Sequence, residues 1–372
     1  MNRYSKIAGA SLLAAFSGVG GVCVSVARAQ SFEFLVGPPS TPYTGIRGLS
    51  ADGSAATGGM YLNQYVDDGF YWTRAGGVQS FQSLGIPSGY SSLAISGNGL
   101  AVVGGNGTQA FRWSTTGGFQ QLPSATGYTG PEALATNTDG SVVGGRVQVD
   151  QPHGAPPAYY ATVWNAAGTP TVIDPTHSLG DSWVGAISGD GTTVVGGSSG
   201  PWVWSAGTGI RGLPALPNLP LDTSVAAGIS TNGQFIVGSS NAHACLWHDG
   251  TVTELLSAAY NSGRFAYADF VSDDASVIGG QVYVSATVGS VAGVWTPSTQ
   301  FIPLADYLAA NGVEVPQGVI LDQLTAMSAD GRTFAGRARD NGYGYAWIAT
   351  IPSPGAAWVG LGWVGLLARR RR

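Results

Sequence analysis

Ser188-Gly189-Asp190-Gly191-Thr192-Thr193-Val194-Val195-Gly196-Gly197 decides how this chain is read. A polar turn carries Asp-Gly at its tip, and a β-branched run follows that ends on glycine. Asp-Gly supplies the positive φ angles of a tight hairpin. The valines favour a pleated strand. Relatives of the stretch recur at residues 50–58, 96–104, 137–144, 230–238, 272–279 and 328–336. Seven copies make this a repeat protein. The sixth, Asp273-Asp274-Ala275, lacks the glycine and is expected to turn differently.

The turn tips are Asp52, Asn98, Asp139, Asp190, Asn232, Asp274 and Asp330, at intervals of 46, 41, 51, 42, 42 and 56 residues. That is the length of one four-stranded propeller blade and far longer than one coil of a β-helix. One tryptophan follows each tip: Trp72, Trp113, Trp164, Trp204, Trp247, Trp295 and Trp347. Each is expected to fill the space between adjacent blades, its N–H finding a carbonyl.

Two columns before the turn define the innermost strand. Leu49, Ile95, Thr136, Ile187, Ile229, Val271 and Met327 stand directly before it, nearly all large and apolar. Gly48, Ala94, Ala135, Ala186, Gly228, Phe270 and Ala326 stand one residue earlier, nearly all small. This period-two alternation leaves one face of the strand for close approach of a neighbouring sheet. The last repeat runs out after Trp347 without an outer strand, whereas residues 31–37 resemble the outer-strand pattern of residues 78–85. The reading is all-β: a seven-bladed β-propeller of four-stranded blades over residues 30–350, closed by the mature N-terminal strand. Closure removes exposed sheet edges. Leu304, Tyr307 and Leu308 share a face of one short helix that Asn311-Gly312 terminates.

Only 10% of the 372 residues are charged, and 58 are glycine. Seven of the 16 basic residues lie in the tails (Arg3, Lys6, Arg28, Arg369–Arg372), so the body has nine arginines against 21 acids, 9 − 21 = −12. Such a surface repels nucleic acid, which needs clustered Lys and Arg. It suits neutral, hydroxyl-rich partners such as glycans.

Residues 1–29 read as a secretory signal peptide: a basic start, an apolar run, and Ala27-Arg28-Ala29 as the cleavage site. Cys23 lies inside it, so the mature body keeps only Cys245 and forms no internal disulfide. At the other end, Pro352-Ser353-Pro354 leads into an apolar segment, residues 356–368, and then four arginines. That segment is short for a full bilayer span, so a transient anchor is expected, the chain's only membrane contact.

Two resemblances follow from these residues. The Asp-Gly-x-x-Val-Val-Gly turn with a later Ala-Phe-x-Trp, as in Gln109-Ala110-Phe111-Arg112-Trp113 and, with cysteine for phenylalanine, His243-Ala244-Cys245-Leu246-Trp247, resembles the HAF family of probable extracellular repeat proteins. Residues 303–308 and 324–331 are similar to that family's last repeat. The tail over residues 351–372 looks like a PEP-CTERM sorting signal, with Ser353 where glutamate is usual. Together they imply a bacterial protein with an outer membrane around its cell, secreted or held at the cell surface, with signal peptidase and an exosortase-like enzyme as processing partners. No reaction comes with either resemblance.

Chemistry is sparse. Gly-x-Ser-x-Gly, phosphate-loop and dinucleotide motifs do not occur in a strand–turn–helix context. His243 and His248 fall on opposite faces of a strand, His153 and His177 stand alone in loops, and Cys245 reads as a small buried hydrophobe. No cofactor is expected; calcium at the Asp-Gly turns is the one metal weighed. The leading expectation is a noncatalytic binding, adhesion or extracellular-matrix module, taking a glycan or matrix partner through Tyr159, Tyr160, Trp183 and Trp202 in long loops such as residues 146–161. The alternative is a secreted carbohydrate-active propeller enzyme, a glycosidase or lyase. Its candidate carboxylates are Asp181, Asp269 and Glu132, on or near inner strands.

Overall fold

A computed structural model describes residues 31–35, 44–63, 66–151, 155–217, 224–259, 265–340 and 343–352. The leader, the tail from residue 353 and His153 lie outside these. The described residues are all-β apart from short helical turns. Hairpin after hairpin folds into four-stranded antiparallel sheets. The first comprises Thr44–Leu49, Ala55–Asn63, Val66–Thr73 and Gly77–Ser80. The second comprises Ser91–Ile95, Ala101–Gly105, Ala110–Ser114 and Gly118–Leu122. Thr129–Thr136, Val143–Val149, Ala158–Trp164 and Pro170–Val172 form the third. The fourth holds Trp183–Ile187, Val194–Gly197, Trp202–Ser205 and Gly209–Gly212. Val225–Ile229, Ile236–Ser240, His243–His248 and Thr251–Glu254 form the fifth. A single residue pair, Gly197 with Val225, joins the second strand of the fourth sheet to the first strand of the fifth. The sixth holds Ala266–Val271, Ile278–Ser285, Gly289–Thr296 and Gln300–Pro303. In the last, Ile320–Met327, Thr333–Asp340 and Tyr343–Thr350 take their fourth strand, Ser31–Leu35, from the other end of the chain. Leu35 pairs with Ala346 and Phe34 with Trp347, and the Phe32 ring stacks on Trp347 at 5.9 Å.

The repeated turn explains its own residues. In the copy at Ser188, the hydroxyl donates to Asp190 Oδ1 (2.7 Å) and accepts from the Thr193 amide (3.0 Å), while Gly191 adopts φ 76°. The Ser188 hydroxyl and the Thr192 amide on its carboxylate hold Asp190 below the usual carboxylate range. The sixth copy corrects the expectation for it. Ser272 and Asp274 make the same contacts, and Ala275 takes the glycine's place at φ 54°. The hydrogen-bond network is strong enough to hold an L-residue in a left-handed conformation that costs about 1–2 kcal/mol.

The turns are also linked to one another. Ala51 N–H donates to Gly97 O, Asn98 to Thr138 O, Thr138 to Gly189 O and Gly189 to Thr231 O. Thr231 N–H donates to Asp273 Oδ1 (2.7 Å), Asp273 to Ala329 O, and Ala329 back to Ala51 O. The circuit returns to its start.

A second set of glycines faces backbone. A Cβ on Gly58, Gly104, Gly145, Gly196, Gly238, Gly280 or Gly336 would stand 1.9–2.1 Å from a carbonyl oxygen near the start of the inner strand. No side chain fits there. The third and sixth of these lie one residue beyond the glycines that the sequence pattern picks out, Gly144 and Gly279.

Six of the tryptophans share one ladder position. Trp72, Trp113, Trp164, Trp204, Trp247 and Trp295 pair with the residue two before that glycine. Trp113, Trp164 and Trp247 donate their indole N–H to Leu84 O, Pro123 O and Pro214 O. Trp347 departs from the ladder. It pairs with Gly336 itself, and Ala349 holds the position the other six occupy. The helix Leu304–Ala310 buries Leu304 and Leu308 and ends at Asn311 and Gly312 (φ 76°).

Candidate functional site in the axial cavity

Each inner strand carries a β-bulge at the same place. The register shifts between Ile46 and Gly48, Ser92 and Ala94, Ala133 and Ala135, Val184 and Ala186, Ala226 and Gly228, Ala268 and Phe270, and Leu324 and Ala326. The bulged residues are therefore Arg47, Leu93, Leu134, Gly185, Ala227, Asp269 and Thr325. A bulge takes its residue out of the ladder and re-aims it. All of these residues line one cavity of about 270 Å³, which reaches the turn residues Ala51, Gly97, Thr138, Gly189, Thr231 and Ala329.

The ring is uneven. Arg47, Thr325 and Asp269 make a polar arc, Leu93 and Leu134 an apolar one, and Gly185 and Ala227 leave a gap. Thr325 spends its hydroxyl on Ile46 O at 2.6 Å. Asp269 has no hydrogen-bond or ion-pair partner among the described residues, and burial pushes its carboxyl up to about 6. An ionisable group displaced by burial, lining a cavity, makes Asp269 a candidate functional residue. Arg47, two bulges away, is exposed and equally unpaired among the described residues.

The other candidates lie elsewhere. Glu132 is held by Arg146 in an ion pair of 2.7 Å, and Arg146 in turn lies over the Tyr159 ring at 4.3 Å. Asp181 accepts from the Tyr159 amide at 2.9 Å and faces His177 at 3.4 Å. Neither lines the axial cavity, so the carboxylate pair expected of a glycosidase is not assembled there. Tyr159 and Tyr160 sit on the strand Ala158–Trp164, which shortens the expected loop over residues 146–161, and Tyr160 packs against Tyr128 and His177. Trp183 opens an inner strand. Trp202 is 1% exposed within the core, where its ring fills the space under Gly196, so it presents no binding face. Cys245 is fully buried, and burial raises its thiol far above the usual range.

Arg47 was missed by the sequence columns, although a signal exists: every bulged residue lies three positions before the Ser or Asn that opens the turn.

No protein-family model matches this chain, and no curated protein sequence does. Solved structures are similar. An oligogalacturonate lyase in complex with manganese superposes with TM-score 0.55 at 13% identity, over 88% of this chain and 95% of that one. The oligogalacturonate lyase of Vibrio parahaemolyticus gives TM-score 0.55 at 13% identity, over 87% and 97%. The β-propeller domain of the trilobed protease from Pyrococcus furiosus gives 0.51 at 7% identity, over 83% and 95%.

The fold is a β-propeller. These neighbours also correct the leading functional expectation: the fold is shared along nearly the whole length of two lyases, which favours the enzyme alternative over the noncatalytic adhesion or matrix module. The manganese of the first neighbour prompts a test of the residues here. Among the described residues no group of three or more His, Cys, Asp or Glu side chains converges to hold a metal ion, so the donor set does not fit one and no step below is routed through it. Among them, too, no helix is long and apolar enough to cross a membrane.

Proposed function

We propose that this chain is a carbohydrate-active propeller enzyme, a lyase that cleaves an acidic polysaccharide by β-elimination in the axial cavity. The observation that carries the reading is the unpartnered Asp269 carboxyl, sharing the polar arc with one guanidinium and no second carboxylate. Glycoside hydrolysis calls for two carboxyl groups about 5–10 Å apart. Elimination calls for one base and one cation. Above pH 6 the Asp269 carboxylate takes the proton from the carbon next to the uronate carboxylate. Arg47 pairs with that carboxylate and stabilises the charge that develops on it. The electrons of the broken C–H bond form the C=C bond as the glycosidic C–O bond breaks. The leaving oxygen receives a proton, and the general acid for this step is the protonated Asp269. Two of the similar structures are oligogalacturonate lyases, which supports an oligogalacturonate-like substrate.

The same reading takes the propeller as seven-bladed and closed by the strand Ser31–Leu35, supported by the returning circuit of turn hydrogen bonds and by the pairing of Phe34 with Trp347. The HAF-like turns and the PEP-CTERM-like tail support a secreted, surface-sorted protein processed by signal peptidase and an exosortase-like enzyme.

The test is to incubate the protein with oligogalacturonate and follow the ultraviolet absorbance of the unsaturated product. Wild-type protein gives product, while Asp269→Asn and Arg47→Ala lose at least about 100-fold in rate, the scale of one positioned acid–base group. No product from wild type, or full activity in Asp269→Asn, overturns the reading.

A further inference from the structure

A second cavity, about 320 Å³, opens between the fourth and fifth sheets. It differs from the junctions that follow the first and second sheets. In the second sheet Arg112 stands opposite Val103 and Gln120. It reaches into the third sheet, donating to Gly140 O (3.1 Å), Ser141 O (3.3 Å) and Ala166 O (2.6 Å), and also to Gln120 Oε1 (2.6 Å). At the first junction Tyr71 does the same job with one bond, its hydroxyl donating to Gly99 O at 2.9 Å.

In the fourth sheet the corresponding residues are Val203 and, opposite it, Arg211. Valine is too short to cross. The corresponding acceptors, Gly233, Gln234 and Asp249, all line the recess, together with Trp204 and Arg211. The arginine of the fourth sheet thus stands at the position of Gln120 and not at that of Arg112. Among the described residues Arg211 is exposed and unpaired.

We infer that this recess is a ligand site for an acidic sugar residue, separate from the axial cavity. Arg211 excludes a guanidinium or ammonium occupant by like charge and offers two donors to a carboxylate. The carbonyls of Gly233 and Asp249, whose counterparts accept from Arg112 at the junction of the second and third sheets, are left to accept sugar hydroxyls, while that of Gln234 faces His248 Nδ1 at 3.2 Å. Trp204, half-buried, gives the ring an apolar face, which suits the mixed lining of small-molecule clefts. His248 stacks on Phe235 at 4.4 Å, and the Asp249 carboxylate makes its close contact with His248, at 3.2 Å, and not with Arg211. The choice of a uronate as the sugar rests on the lyase reading above.

The test titrates full-length protein with oligogalacturonate and with a neutral galacto-oligosaccharide by calorimetry. Wild type binds two oligogalacturonates per chain. Val203→Arg with Arg211→Gln rebuilds the Arg112–Gln120 pair, fills the recess and binds one. Arg211→Ala weakens the second site at least tenfold, and it carries the test if the double variant does not fold. Equal stoichiometry in wild type and both variants, or equal binding of the neutral oligomer, overturns the site. The two readings fail separately: Asp269→Asn abolishes product without changing recess binding, and the recess variants keep wild-type turnover on short substrates.

Discussion

Ala329 donates its amide hydrogen to the carbonyl of Ala51 at 2.9 Å, joining the last turn of the repeat to the first. Six links of this circuit are backbone to backbone. The remaining one passes through a side chain: Thr231 N–H donates to Asp273 Oδ1 at 2.7 Å. Asp273→Ala leaves that amide unmatched and costs about 2 kcal/mol, the scale of a hydrogen bond to a charged group. Chemical denaturation checks it, and a loss below about 0.5 kcal/mol would show the link to be dispensable.

Ala275 occupies a left-handed position that glycine fills in the other copies of the turn. Ala275→Gly relieves the strain and gives back part of it as unfolded-chain entropy, so the protein gains up to about 1 kcal/mol. A stabilising glycine substitution is unusual. Destabilisation would mean that the Ala275 methyl makes packing contacts worth more than the strain.

The Asp269 carboxyl, pushed from 3.8 up to about 6, makes the folded state hold its proton more tightly than the unfolded chain does. Stability therefore falls as pH rises from about 4 to about 6 and is lowest, from this source, above that window. Asp269→Asn removes the effect. Its melting temperature exceeds that of wild type at pH 7, and the two converge near pH 4. Lyase activity runs the other way, rising through pH 6 as the base forms.

Trp164 and Trp347 are both fully buried, but only Trp164 has an indole partner, Pro123 O at 2.7 Å. The indole nitrogen of Trp347 has none. Substitution by Phe costs each site similar packing, and Trp164→Phe also strands a carbonyl, so it loses about 1–2 kcal/mol more than Trp347→Phe. Parallel urea titrations give the difference directly.

Residues 31–35 place Phe32 on Trp347 and bury Leu35. Removing them uncovers the strand Tyr343–Thr350 and loses about 4 kcal/mol of apolar burial. The melting temperature drops by roughly 10 °C. An unchanged value would mean that the last sheet is complete without this strand.

Much of this fold was written in short-range chemistry. The Asp-Gly tips, the alternation of large and small before them and the tryptophan after them each act within a few residues, and the structure places them accordingly. What escaped depends on partners distant in sequence. Gly145 rather than Gly144 is the glycine pressed against a carbonyl, the eighth residue after the Asn or Ser that opens each turn, and within a Gly-Gly doublet only the approach of the inner strand shows which glycine that is. Trp347 is seventh in the sequence column, yet Ala349 fills that place in the ladder, again because pairing with Gly336 is not local. The site was least legible. Asp269 stood out only as one acidic residue among several; what distinguishes it from Glu132 and Asp181 is that those two have partners contributed by other strands. Trp202 looked like a loop aromatic, and only the bare Cα of Gly196 facing it explains its burial.

The pair Gly197–Val225 has a mechanical meaning for the two sheets that frame the recess. Where the fourth and fifth sheets are riveted by main-chain bonds, they cannot slide as independent plates. A pocket framed by such fixed walls keeps its outline when empty, so a guest entering it forfeits little freedom on the host's side, and selectivity there is set by outline and charge more than by adjustment.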